Sequence, residues 1–306
     1  MPDGWQIQCP ACRAGILDEC GRCPACFSTF PSADGVWRLL DEKRRAELTP
    51  FLDSYSRIRL AEGRSLATRS HFGALPECPA DHPVAGQWRI RRRSFQVLSS
   101  LLERELQAGA RVLDLGAGSC WLSHRLATQG LSPCAVDVNL DEQDGLRANR
   151  HYGARFPCLE AEFDNLPLPP DHADAAVFNA SLHYCTDLRR TIREVLRVLK
   201  PCGMLVVVDS PIYRNAGSGR QMVIEQHCDF ERRFGDRSDH LANIGFMTFG
   251  DFDRLAGQFG LQWDYRRPWY GWRWALRPAL ARLRGQREPA TFAVVSARKP
   301  RGGELR

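Results

Sequence analysis

The segment 111–121 (RVLDLGAGSCW) constrains the fold more than any other part of the chain. It starts as an apolar run typical of a buried strand, passes through a glycine turn and leads into a helix. A second apolar run, 134–138 (CAVDV), places Asp137 about 20 residues beyond the glycines, the spacing of a βαβ nucleotide-binding unit. Because glycine has no Cβ, Gly116 and Gly118 let the backbone approach a ligand closely. Asp137 is expected to accept hydrogen bonds from ribose hydroxyls.

Helix and strand patterns alternate along the rest of the chain. The segment 187–200 has its apolar residues on one helical face and is followed by Pro201. The segment 204–208 is an unbroken apolar run, as a strand covered on both faces requires. A further helix is predicted over 88–107, with Gly109 beyond its end. This alternation predicts an α/β fold with a mostly parallel sheet.

Five motifs in order make the chain resemble the Rossmann-like (class I) S-adenosylmethionine-dependent methyltransferases over roughly residues 95–300. They are 112–118 (VLDLGAG), Asp137, 160–167 (EAEFDNLP), 177–184 (VFNASLHY) and 194–209 (EVLRVLKPCGMLVVVD). The resemblance implies a seven-stranded, mostly parallel sheet with helices on both faces. It also implies S-adenosyl-L-methionine as the cofactor.

The resemblance assigns cofactor contacts residue by residue. Asp114 would orient the glycine loop or the cofactor's amine. Glu162 and the backbone at Phe163 would flank the adenine, and Asn179 and Ala180 would face the methionine half. The full expected set is Asp114, Gly116, Gly118, Asp137, Glu162, Phe163, Asn179 and Ala180.

The loop after the predicted fourth strand contains His183 and Tyr184. These two residues are the candidates for contact with the methyl acceptor or for its deprotonation. Histidine can serve as a base near neutral pH, although a histidine in such a loop is more often a hydrogen-bonded structural residue. The sulfonium already carries a good leaving group, so methyl transfer depends mainly on alignment and on exclusion of water. No catalytic triad is therefore required.

The sequence departs from the family pattern at two cysteines. Cys120 stands where the third motif glycine is expected, and Cys202 stands where the first glycine of a Pro-Gly-Gly turn usually lies. A thiol at a helix N-terminus can be reactive, but the place of Cys120 in the motif favours packing. Because Cys120 lies in the cofactor-binding motif, its side chain is expected to affect the strength of cofactor binding.

Two identical knuckles near the N-terminus, 9–12 (CPAC) and 23–26 (CPAC), have the separation of a zinc ribbon. Cys9, Cys12, Cys23 and Cys26 are the predicted ligands of a structural Zn²⁺, and Cys20 is an alternative because Cys20 and Cys23 also form a Cys-x-x-Cys. Residues 27–40 resemble the tail of the zinc-ribbon domain that is fused to bacterial methyltransferases or partners tRNA methyltransferases.

We expect three regions in the chain: the zinc ribbon over 1–40, a helical linker or lid over 41–94, and the methyltransferase domain over 95–300. A cap insertion at 211–250 would shape the acceptor pocket, since a connection of that length usually carries function. Within the lid, the candidates for pocket contacts are Tyr55, Arg59 and Glu62.

Composition adds little about partners. The net charge is +6, but 39 of the 42 basic residues are arginine, which suggests a compositional bias of the genome and weakens any argument from charge for nucleic acid. The run 91–93 (RRR) is expected to be the solvated side of a helix.

The segment 265–287 has seven arginines among aromatic residues and no acid. It could clasp nucleic acid or lie on a membrane, but tryptophans closing the substrate cleft are the favoured interpretation.

The first functional hypothesis is therefore a cytoplasmic methyltransferase acting on a small-molecule acceptor, with no membrane span. The second is an rRNA or tRNA methyltransferase, since some rRNA guanine enzymes also begin with a zinc ribbon. The third is a non-catalytic binding protein with a degraded cofactor site and a ribbon that recruits a partner. The sequence identifies neither the acceptor nor the oligomeric state.

Overall fold

The computed structural model describes residues 4–64 and 68–301. Within those residues it contains eleven β-strands and nine α-helices. The strands are β1 (Ser32–Ala33), β2 (Val36–Arg38), β3 (Arg111–Leu115), β4 (Ser132–Asp137), β5 (Cys158–Glu160), β6 (Ala173–Asn179), β7 (Leu199–Val208), β8 (Ile212–Tyr213), β9 (Met247–Thr248), β10 (Asp264–Arg266) and β11 (Val294–Arg298). The helices are α1 (Glu42–Ala61), α2 (Arg69–Ala74), α3 (Ala85–Glu105), α4 (Trp121–Thr128), α5 (Leu188–Val198), α6 (Ala216–Phe234), α7 (Phe249–Phe259), α8 (Trp272–Ala275) and α9 (Arg277–Leu283).

Nine strands form one sheet in the order β1-β2-β5-β4-β3-β6-β7-β11-β10. The strands from β2 to β7 in that order are parallel, whereas β11 is antiparallel to both β7 and β10. The predicted Rossmann-like α/β fold is confirmed, and the seven expected strands are those from β5 to β10 along the sheet. The hairpin of β1 and β2 adds two more strands at one edge.

Alternation of side chains along the central strands divides the core into two layers. On β3, Val112 belongs to the apolar layer shared with α3 and α4, whereas Leu113 and Leu115 belong to the layer shared with α5 and α7. All three side chains are fully buried. Helices therefore cover both faces of the sheet, which explains why the central strands are apolar on both sides.

The two predicted helices lie close to their expected bounds. α3 begins at Ala85 and ends at Glu105. α5 follows Asp187, whose carboxylate accepts the Arg190 N–H at 2.9 Å as an N-cap. The prediction placed the end of this helix at Lys200, but Leu199 and Lys200 already belong to β7. The reason is Pro201, which disfavours helical backbone in the residue before it.

The N-terminal segment packs against the sheet. Trp5 is buried and its indole N–H donates to the Ser132 hydroxyl at 3.1 Å, while the Gln8 N–H donates to the Pro167 carbonyl at 3.0 Å. β2 pairs in parallel with β5, which places Arg38 opposite Glu160. The hairpin lies inside the region 1–40 predicted as the ribbon, so this end of the ribbon is part of the main sheet.

The region 211–250 has its own secondary structure. β8 and β9 form a separate parallel pair. Between them, α6 is capped at its start by the Asn215 side chain and ends at Gly235, whose φ of 68° suits glycine. Its role as a cap over the acceptor stays a prediction.

Candidate active site

A cleft opens at the carboxyl ends of β3, β4, β5 and β6, where open parallel sheets hold their ligands. Side chains from α1, α2 and α3 complete its walls. The structure brings together in this lining seven of the eight predicted cofactor contacts and one of the two predicted acceptor contacts. They are Gly116, Gly118, Asp137, Glu162, Phe163, Asn179, Ala180 and Tyr184.

The glycine turn after β3 is built for close packing. Gly116 has a φ of 75°, and a Cβ there would lie 2.3 Å from Cβ of Ser181. The loop after β6 therefore packs directly against the turn. Gly118 also has a positive φ, of 50°, and its N–H donates to the Asp137 carboxylate at 2.8 Å. Gly116 thus needs glycine because of this close contact, and the positive φ of Gly118 favours glycine there.

Asp137 at the end of β4 links this turn to the next loop. One carboxylate oxygen accepts the Gly118 N–H, and the other accepts the Asn139 N–H at 2.8 Å. Burial raises the pKa of Asp137. A carboxylate has about four acceptor sites, so each oxygen can accept a further hydroxyl from a ligand in the cleft.

Asp114 is the predicted cofactor contact that lies outside the cleft lining. Its carboxylate accepts the N–H and hydroxyl of Ser123 at 3.0 and 2.8 Å, which ties β3 to the first turn of α4. Side-chain alternation places it on the same face of the sheet as Val112, toward that helix. Its position therefore links β3 to α4 instead of facing the cleft, and its predicted contact with the glycine loop or the cofactor's amine stays a prediction.

Glu162 lies at the cleft but is already bound by the protein. Arg44 of α1 donates to both of its carboxylate oxygens, with distances of 2.7–3.0 Å. The Phe163 ring beside it packs edge-on against Phe178 at 5.3 Å. On that side of the cleft, Phe163 therefore offers an apolar ring surface, and Arg44 neutralises the carboxylate of Glu162.

The rings of the two predicted acceptor contacts, His183 and Tyr184, lie 4.4 Å apart, but only one of them reaches the cleft. Tyr184 lines the cleft and contacts the rings of Phe51 and Tyr55 from α1, at 6.1 and 6.2 Å. His183 does not line it; Nδ1 lies 3.4 Å from the Ser210 hydroxyl. Burial, with a smaller effect of Arg91, lowers the pKa of His183 to about 4. The placement favours a structural, neutral His183.

Three arginines, from α1, from the residues after it and from α3, line the cleft. Arg59 contacts the Tyr55 ring, and its Nε is buried without a hydrogen-bond partner among the described residues. Arg91 was expected to be solvated but lines the cleft beside the Trp88 ring, and burial lowers its pKa to about 10. Arg64 is a third lining arginine and pairs with Glu62 at 2.6 Å. Sequence reasoning proposed Arg59 and missed Arg64 and Arg91.

Cys120 does not block the cleft. It adopts a φ of 61°, the left-handed conformation that explains why glycine is common there, and its thiol points to the carbonyls of Gly118 and Leu146 at 3.6 and 3.8 Å. Burial raises the pKa of the Cys120 thiol well above its usual value. Cys202 likewise has a φ of 62°. Cys120 is thus a packing residue in a glycine position, whereas Cys202 is half-buried and its sulfur accepts a hydrogen bond from Nε of Arg301 at 3.0 Å.

The four predicted zinc ligands converge near the N-terminus. The Sγ atoms of Cys9 and Cys26 are 3.7 Å apart and those of Cys12 and Cys23 are 3.6 Å apart. A tetrahedral zinc with Zn–S bonds of about 2.3 Å requires sulfurs about 3.8 Å apart, so this donor set fits the metal. Cys20 is exposed and lies outside the group.

A second group of potential ligands, His71, Cys78 and His82, lies beside the cleft, with donor atoms within 4.8 Å of one another. His71 itself is part of the cleft lining.

The tryptophan-rich segment 265–287 does not lie where it was expected. Among the described residues, the cleft lining includes none from 265–287, so these tryptophans do not close it.

Comparison with known proteins links the central part of this fold to methyltransferases. Residues 113–207 match the family model described as a methyltransferase domain. An uncharacterized methyltransferase of Mycobacterium tuberculosis is 39% identical over 101 residues, 33% of this chain and 40% of that protein. A demethylmenaquinone methyltransferase of Corynebacterium urealyticum is 34% identical over 122 residues, 40% of this chain and 47% of that protein. The chain thus spans less than half the length of these curated relatives.

Likeness to solved structures concerns the fold. The YcgJ protein from Bacillus subtilis superposes with a TM-score of 0.50 at 17% identity, covering 68% of this chain and 100% of that one. Over the part of the chain that the structure describes, no helix is both long and apolar enough to cross a bilayer.

Proposed function

We propose that the protein is an S-adenosylmethionine-dependent methyltransferase that acts on a small-molecule acceptor. The observation that carries the proposal is the convergence of Gly116, Gly118, Asp137 and Phe163 in one cleft at the carboxyl edge of the sheet. The match of residues 113–207 to a methyltransferase domain supports the same activity.

The residues of the cleft fit the parts of this cofactor. The remaining acceptor sites of Asp137 suit a ribose diol, and the Phe163 ring suits a flat base. The backbone at Asn179 and Ala180 lies next to the glycine turn, on the side expected to face the methionine half. The buried, unpaired Nε of Arg59 is a donor suited to a carboxylate. When bound, the cofactor supplies an electrophilic methyl group on a sulfonium.

The protein's own contribution would be alignment and exclusion of water. α1 covers the cleft with Leu48, Phe51 and Tyr55, and the Arg44–Glu162 pair fixes that helix to the turn after β5. Holding acceptor and methyl group in line can contribute about 7–11 kcal/mol, more than one general base usually provides.

The acceptor would lie between Tyr184 and the apolar cover formed by α1. The rings of Phe51, Tyr55 and Tyr184 pack together at this end of the cleft, and Trp88 is a further aromatic residue of the lining. An opening roofed by a helix suits a compact molecule better than a nucleic acid strand. Acceptor contact is therefore assigned to Tyr184, with His183 supporting the loop behind it.

We also propose that Cys9, Cys12, Cys23 and Cys26 hold a structural Zn²⁺. Four thiolates leave no open coordination position, so the metal would stabilise the ribbon rather than take part in the reaction. The contacts of Trp5 and Gln8 with the sheet domain make the ribbon part of the folded unit.

Two measurements test the proposal. Calorimetry with S-adenosylhomocysteine should give saturable binding with one site per chain. Incubation with methyl-labelled S-adenosylmethionine should then label a component of a metabolite fraction from the host. Binding without transfer to any fraction would support the non-catalytic alternative, and label in RNA with steeply salt-dependent RNA binding would support the RNA alternative.

A further inference from the structure

Large exposed apolar side chains are concentrated in one short segment. Of the nine such residues in the described part of the chain, five lie between positions 269 and 283. Their exposed fractions are 55% for Trp269, 76% for Trp272, 54% for Leu276, 42% for Leu280 and 83% for Leu283. Isolated exposed apolar residues are ordinary, but a contiguous group marks an interaction site.

Four of these residues lie on one helical path through α8 and α9. The Leu276 N–H donates to the Trp272 carbonyl at 3.0 Å, and the Leu280 N–H donates to the Leu276 carbonyl at 3.0 Å. Residues four apart in such a helix lie above one another, and Leu283 follows three positions later. Trp272, Leu276, Leu280 and Leu283 therefore form a single stripe, which we call the outer stripe.

The opposite side of the same helices is anchored to the protein. Just before α8, the Tyr270 hydroxyl lies 2.8 Å from the Ser94 hydroxyl; within α8, the Trp274 ring packs against Phe292 at 5.7 Å. The Arg277 guanidinium lies over the Trp274 ring at 3.9 Å. The inward tryptophan is thus used for packing against the body of the protein. In the outer stripe, Trp272 packs edge-on against its neighbour Trp269 at 4.9 Å, but the four side chains remain 42–83% exposed.

Positive charge flanks the outer stripe. Arg273, Arg282 and Arg284 are exposed next to it, and the segment 265–287 contains no Asp or Glu. A helix with tryptophan and leucine on one face and arginines beside them is suited to the interface of a membrane that carries anionic lipids.

We propose that the outer stripe and its flanking arginines dock the protein on an anionic lipid surface. A nucleic acid would use the arginines and tryptophans but would leave Leu280 and Leu283 facing water. A second copy of the same face would bring arginines against arginines with no acid in the segment to pair with them. A lipid surface accommodates both the leucines and the charge, and the proposal does not depend on methyl transfer.

Vesicle flotation of the whole 306-residue chain tests this proposal. The protein should float with vesicles of phosphatidylcholine mixed with phosphatidylglycerol and remain in solution with vesicles of phosphatidylcholine alone. The triple variant Trp272→Ser, Leu276→Ser, Leu283→Ser should lose at least about tenfold in binding. All three side chains are exposed, so the variant should keep the melting temperature of the parent. The matched control is Leu60→Ser, which removes an exposed leucine from α1 and should bind like the parent.

Three results would overturn the proposal: no flotation with the anionic vesicles, equal flotation of parent and triple variant, or equal losses in the triple variant and in Leu60→Ser. Binding of single-stranded RNA or dimer formation that the same triple variant abolishes, without vesicle binding, would assign the stripe to those partners instead.

Discussion

Arg44 and Glu162, 118 positions apart in the chain, form a two-pronged ion pair: Nε of Arg44 lies 3.0 Å from both carboxylate oxygens and Nη2 lies 2.7 Å from one of them. Both side chains are shielded, with exposed fractions of 30% and 23%. The pair joins the helix that covers the cleft to the turn predicted to hold the adenine. Two more arginines of the N-terminal region, Arg38 and Arg45, contact the buried Glu160 at the end of β5, just before that turn.

We expect Arg44→Met to weaken binding of S-adenosylhomocysteine about fivefold. The substitution keeps the aliphatic stem but removes an interaction of about 1 kcal/mol that holds α1 over the cleft. Calorimetry measures the change. Glu47→Gln is the control, since Glu47 is the more exposed second partner of Arg44. Equal affinities of Arg44→Met and the parent would show that the pair does not hold the cover closed.

Asp137→Ala should raise the Kd for S-adenosylhomocysteine roughly 10- to 150-fold, because hydrogen bonds to a charged group are worth about 1.5–3 kcal/mol. Asp141→Ala is the matched control. Asp141 also accepts backbone N–H groups, from Gln143 and Asp144, but does not line the cleft. Similar losses of affinity in both variants would assign the effect to loop structure rather than to a ribose contact.

Asp114 should make stability fall as pH rises. Burial raises its folded pKa from 3.8 to about 7, so between these values the folded state holds a proton that the unfolded state has lost. Unfolding free energy is therefore lost with increasing pH across this window, by up to about 1.4 kcal/mol for each pH unit. Asp114→Asn removes this titration, so its stability relative to the parent should be greater at pH 8 than at pH 5. Urea unfolding at both pH values measures this difference, and a pH-independent difference would contradict the assignment.

Zinc content should depend on the four converging cysteines alone. The purified protein should contain one zinc per chain, which Cys20→Ser retains and Cys23→Ser loses. Loss of the metal should also speed amide hydrogen exchange in β5, because the β1–β2 hairpin that follows the cysteines pairs with that strand. Unchanged exchange in Cys23→Ser would mean that the hairpin is held independently of the metal.

The fold and the centre of the cleft could be predicted because their signals are local. Apolar runs give the strands, the glycine turn gives the approach to the ligand, and the knuckle spacing gives the cysteine cluster. Cys120 and Cys202 are not the glycines that the family pattern expects, but both adopt the left-handed backbone conformation that glycine favours. The fold therefore tolerates both substitutions.

The walls of the cleft could not be predicted because they depend on packing between distant segments. No local sequence pattern predicts that Arg44 pairs with Glu162 or that Arg91 points into the cleft. The rings of the neighbours His183 and Tyr184 lie 4.4 Å apart, yet only Tyr184 lines the cleft, and this difference follows from the packing of the turn rather than from the sequence. In the tryptophan-rich segment, the spacing of apolar residues is the same for a buried and an exposed helical face, so exposure was not evident from the sequence.

The parallel pairing of β2 with β5 has a practical consequence for any shortened form of this protein. β5 has only three residues and, without β2, would present unpaired backbone N–H and C=O groups to solvent. A chain starting after the hairpin would expose a template on which another copy could add a strand. The N-terminal region thus also protects this sheet edge from intermolecular strand pairing. A fragment designed to stay monomeric and soluble should retain it.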